Sequence, residues 1–87
     1  MTKFADLAIE KMAAAGLQLA GSKKPLKQDA VLLAFCDPKI GEGPGLVHVV
    51  ASGHELRHLG NDQAAIERLA DERCKNAILV YRAHTEA

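Results

Sequence analysis

Apolar residues recur along the first fifteen positions at spacings of three and four, with Phe4, Leu7, Ala8 and Met12 interleaved by Lys3, Asp6, Glu10 and Lys11. On a 3.6-residue repeat the two sets fall on opposite faces, which predicts an amphipathic helix over residues 2–15. Thr2 stands where an N-cap is expected. Gly16 is placed to stop the helix in a left-handed conformation, letting Leu17 fold back onto Met12. Gly21, Ser22, Lys23, Lys24 and Pro25 read as a hydrophilic turn, because proline cannot continue a helix that precedes it.

Residues 30–36 are apolar at every position, the pattern of a strand covered on both sides, and Asp37 and Pro38 end it. Two prolines and three glycines then make residues 38–45 an exposed loop. Residues 46–51 form a second strand, favoured by the β-branched Val47, Val49 and Val50. A second helix opens at Asn61 or Asp62 and carries the stripe Ala65, Ile66, Leu69, Ala70 and Cys74. Asp71 and Lys75 support it four residues apart, Asn76 is its expected stop, and residues 77–81 follow as a third apolar strand. Residues 54–59 fit two readings: a short strand paired across a turn at Ser52 and Gly53, or a helical turn opened by the capping pair Ser52 and Glu55.

These elements predict an α/β (α+β) fold, with two helices on a three- to four-stranded sheet in the order α-β-β-(β or short helix)-α-β. Residues 1–87 make one domain, and the last strand-helix-strand portion forms a right-handed crossover if its strands are parallel. Two helices are thin cover for strands apolar on both faces. Either they sit on opposite faces, each leaving area open, or both pack on one face and a second subunit covers the other. A homodimer is therefore expected.

Composition narrows the class of function. The chain is 48% hydrophobic and 25% charged, as an ordinary globular domain is, so it is expected to fold. Eleven basic residues balance eleven acidic ones, and no net field draws it to nucleic acid or anionic lipid. Two cysteines, Cys36 and Cys74, are too few for a disulfide framework and are expected as buried free thiols. No apolar run approaches the ~20 residues of a membrane span, and the N-terminus lacks the pattern of a secretory signal, so a cytoplasmic location is expected.

His54-Glu55-Leu56-Arg57-His58 matches the H-E-x-x-H pattern and, over these five residues, resembles the motif of zinc peptidases. The resemblance implies His54 and His58 as zinc ligands and Glu55 as general base on the metal-bound water. Gly53 and Gly60 hem the motif in, Arg57 adds positive charge beside a dication, and nothing selects a third ligand among Asp62, Glu67, Asp71 and His84. His48 offers another cluster with His54 or His58 across a hairpin.

The loop from Gly41 to Gly45 shares only glycine content with phosphate-binding loops, lacking their Lys-Ser/Thr pair. Lys23, Lys24 and Lys27 form the one basic cluster, yet Tyr81 alone remains for base stacking. With residues 54–59 as a strand, the helix-strand-strand-strand-helix order resembles double-stranded-RNA-binding domains. Their lysine-rich second-helix start is replaced here by Asp62-Gln63-Ala64-Ala65. Neither Ser52 nor the cysteines have a base placed by sequence to activate them.

The expectation is a non-enzymatic small regulatory or inhibitory protein that binds a larger protein partner as a homodimer. Its contacts are expected in the loop 38–45 and the segment 54–59, through Lys39, Glu42, Arg57 and His58. The alternatives are a zinc-dependent hydrolase using His54, Glu55 and His58, and a nucleic-acid-binding module.

Overall fold

The computed structural model describes residues 3–23, 30–41 and 45–85, in the order α1 (Phe4–Ala14), β1 (Gln18–Lys23), β2 (Val31–Cys36), β3 (Val47–Ala51), α2 (Gly53–Leu59) and α3 (Gln63–Thr85). The fold is mixed α and β, with three helices and one three-stranded sheet among the described residues. Among the described residues no helix is long and apolar enough to cross a membrane.

α1 follows the periodicity of its sequence. Phe4, Leu7, Ala8 and Met12 are its buried residues, and Gly16, at φ 85°, takes the left-handed turn that ends it. The Leu17 amide then donates to the Met12 carbonyl at 2.9 Å, folding Leu17 into the core. Lys3 occupies the N-cap position without a side-chain bond, and the expected cap Thr2 lies outside the described residues.

The sheet differs from expectation in two respects. Residues 18–23, whose second half reads as a turn, form the edge strand β1 against β2. A bulge between Leu19 and Gly21 breaks the alternation, so no period-2 pattern marks the strand, and pairing with β2 supplies the stability its composition lacks. The order is β1-β2-β3 and both pairings are antiparallel, so the parallel crossover does not form.

Residues 77–81 are not a strand. Asn76 does not stop the helix, and α3 runs on to Thr85. Ile66, Ala70, Cys74, Ala77 and Tyr81, spaced by four, four, three and four, form one buried stripe, and no Gly or Pro interrupts it. A five-residue apolar run fits either element; the continuing stripe decides it. Residues 54–59 take the helical reading, as part of α2.

Both long helices lie on one face of the sheet. The core joins Phe4, Leu7, Ala8 and Met12 of α1 and the α3 stripe to Leu33, Phe35, Val47, Val49 and Ala51. Alternation along the strands aims these residues to the same side, and the register pairs Leu33 with Val49 and Phe35 with Val47. Ala8 and Ala70 are both fully buried, and their small side chains let α1 and α3 approach closely. Lys11 and Asp71 bridge the two helices at 3.6 Å in an exposed setting, where such a pair contributes under about 1 kcal/mol.

Candidate functional site

The opposite face of the sheet is formed by the alternate residues Leu32, Ala34 and Cys36 of β2 and His48 and Val50 of β3. Ala34 and Cys36 are buried yet stand outside the helix-side core; Leu32 is half-buried, and His48 and Val50 are exposed. Leu32 pairs with Val50 and Ala34 with His48, which makes a small apolar surface with one imidazole upon it. Among the described residues no helix packs on this face.

One polar corner adjoins the sheet. Ser52 accepts the Glu55 amide at 3.1 Å, and Glu55 accepts the Ser52 amide at 2.8 Å, the reciprocal capping box read from the sequence. The Glu55 carboxylate also pairs with Arg73 of α3, whose guanidinium donates to the Val50 carbonyl at 2.8 Å. Arg73 thereby ties α3 to the end of β3 and the start of α2. The Arg73 hydrogen bond first, and the Ser52 amide next, pull the Glu55 pKa from 4.5 down to about 2. A lowered carboxylate pKa stabilises the fold above the ordinary value, and the contribution fades as pH falls toward 2. With 35% of the Glu55 side chain exposed, solvent screening holds it to about 1 kcal/mol. In urea unfolding, Glu55→Gln should cost about that much at pH 7 and nothing near pH 2; an unchanged gap across that range would show that the pair contributes no pH-dependent stability.

His54 and His58 are exposed on α2, which ends at Leu59 with Gly60 at φ 57°. No group of three or more His, Cys, Asp or Glu side chains converges among the described residues, so neither His48 nor a third ligand joins them. Glu55, with both oxygens engaged and its pKa near 2, is a weak base. Arg57 is exposed.

Lys39 is exposed in the turn after β2, where its amide donates to Asp37 Oδ1 at 2.8 Å, and the Asp37 amide donates to the Tyr81 hydroxyl at 3.2 Å. Glu42, Lys24 and Lys27 lie outside the described residues, while Lys23 ends β1. α3 opens at Asp62, whose Oδ1 accepts the Ala65 amide at 3.2 Å, as the sequence predicts. Cys36 and Cys74 are buried free thiols. Burial pushes the Cys74 thiol pKa up, and Cys74 Sγ donates to the Ala8 carbonyl at 3.6 Å, a setting for an inert group.

Beside β3 runs a shallow groove of 390 Å³, lined by Leu46 to Val50 on one side and by Arg73, Asn76, Ala77 and Val80 of α3 on the other. The sequence does not announce it, because Arg73, Asn76 and Val80 come together along a strand only if α3 continues past residue 76. Its one sequence-level trace is the apolar run 77–81, within which Val80 is 63% exposed. Comparison with known protein families, curated proteins and solved structures finds no match to any of them.

Proposed function

We propose that this chain is a non-enzymatic regulatory or inhibitory protein that acts as a homodimer and binds a larger protein partner on the helix-free face of its sheet. The observation that carries this reading is the placement of α1 and α3 on a single face, with Leu32, His48 and Val50 on the other. Exposed apolar area with few polar groups to satisfy is suited to docking. Lys39 follows β2 at one end of the sheet, and Arg57 and His58 follow β3 at the other, so these expected contacts bracket the face. Glu55 serves the Ser52 and Arg73 contacts, which supports a structural role for it over a catalytic one.

Leu32→Glu tests the reading, since it sets a charge on the open face from the central strand. Tagged wild-type protein should recover one dominant partner from host extract, and Leu32→Glu should recover it at least about tenfold less, with an unchanged circular dichroism spectrum. Equal recovery by the variant would exclude this face, and recovery of none by either protein would exclude the function.

A further inference from the structure

Among the described residues β3 is an edge strand, and on its outer side only the Val50 carbonyl is engaged. The Val50 carbonyl turns to Arg73 and so away from β2, and with period 2 the peptide groups of His48 and Leu46 face the same free edge. No other hydrogen bond reaches these groups among the described residues. The two edges of the sheet are managed differently. β1 carries a bulge, a device that discourages further pairing, whereas β3 is Val-His-Val-Val-Ala, with no charged residue, proline or bulge.

We propose that a second copy of this chain occupies that edge, its β3 running antiparallel to the first about a two-fold axis at His48. This names the surface that joins the homodimer of the preceding section and rests on that reading.

Strand pairing about His48 is self-complementary. Leu46, 38% exposed, faces Val50 of the second copy, 44% exposed, and the same pair repeats across the axis. On the helix side Val47 faces Val49, and each outward peptide unit meets one donor and one acceptor, the Val50 carbonyl taking a second bond beside that from Arg73. Val80 on the groove wall, 63% exposed, lies on the flank that the second α3 approaches.

Charge favours a second copy over a charged peptide. The charges at the groove's end, Arg73 and Glu55, neutralise each other, and the whole chain has net charge +0, so two copies meet without repulsion.

Sedimentation equilibrium from about 1 to about 300 μM, a range reaching the weak end for a specific interface, tests the proposal on three proteins. Wild type should have twice the 9.3 kDa mass. L46K/V50K puts Lys opposite Lys twice and should raise the dissociation constant about 100-fold or more. L46K/V50E instead puts Lys opposite Glu twice and should dimerise again, a rescue that only this register explains. Unchanged circular dichroism shows that the variants fold. A monomeric wild type overturns both the proposal and the homodimer reading beneath it. A wild-type dimer that L46K/V50K leaves intact, or that L46K/V50E fails to restore, overturns the proposed surface alone.

Discussion

Phe35→Ala should destabilise the protein by about 3–5 kcal/mol. Phe35 is fully buried in the central strand, between Leu19 of β1 and Val47 of β3, on the face that receives α1 and α3. Truncation removes the apolar transfer energy and opens a cavity that neighbours on three sides, two of them strands, cannot collapse to fill. A chain of 87 residues has roughly 4–13 kcal/mol of total stability. The loss therefore takes a large share of the whole. Urea unfolding followed by circular dichroism checks it, at one fixed protein concentration because dimerisation adds stability by mass action. A loss below about 1 kcal/mol would mean that Phe35 is not the centre of the core.

Asn76→Pro should cost about 3 kcal/mol or more, although Asn76 is exposed and packs in no core. Proline at this position removes one helical hydrogen bond and drives its ring into the Glu72 carbonyl, in the middle of a helix that continues nine residues further to Thr85. The substitution separates two architectures. If the helix stopped at Asn76, the damage would be confined to its last turn, and Ala77 and Tyr81 would keep their places. If α3 is continuous, Ala77 and Tyr81 lose their register against the core, and the Tyr81 hydroxyl no longer accepts the Asp37 amide. Helical circular dichroism at 222 nm and the urea midpoint read both effects; Asn76→Ala, which keeps the helix, should match wild type within about 0.5 kcal/mol.

The elements that sequence located correctly depend on neighbours in the chain. α1 is legible because four apolar residues repeat at helical spacing before a glycine, and β2 and β3 are legible from β-branched and aromatic runs between breakers. The capping box of α2 is likewise local, since Ser52 and Glu55 are three residues apart. The misread segments lack such signals. β1 has a bulge, a glycine and a serine where alternation would be sought, and it exists because β2 offers a ladder. Residues 77–81 are composed like a strand, but their place is set by α1 and β3, against which the α3 stripe packs.

The candidate site divides the same way. His54, Glu55 and His58 drew notice as a motif, but Glu55's engagement with Arg73, eighteen residues along, required the crossing of α3 over the end of β3. Nothing in residues 52–58 announces that partner. Likewise the composition of β3 is plain in the sequence, yet whether it lies inside the sheet or at its edge is a matter of strand order.

Sequence by itself determined the first helix and its glycine stop, the two apolar strands, the helix-capping residues, the two free buried thiols and the balanced charge, because each follows from composition or from residues within a few positions of one another. Only the tertiary structure decided that residues 18–23 are a strand and 77–81 a helix, that both long helices share one face, and that β3 lies at the edge of the sheet among the described residues. These outcomes depend on which distant segments pair and pack, and energies between segments leave no periodic trace within either one.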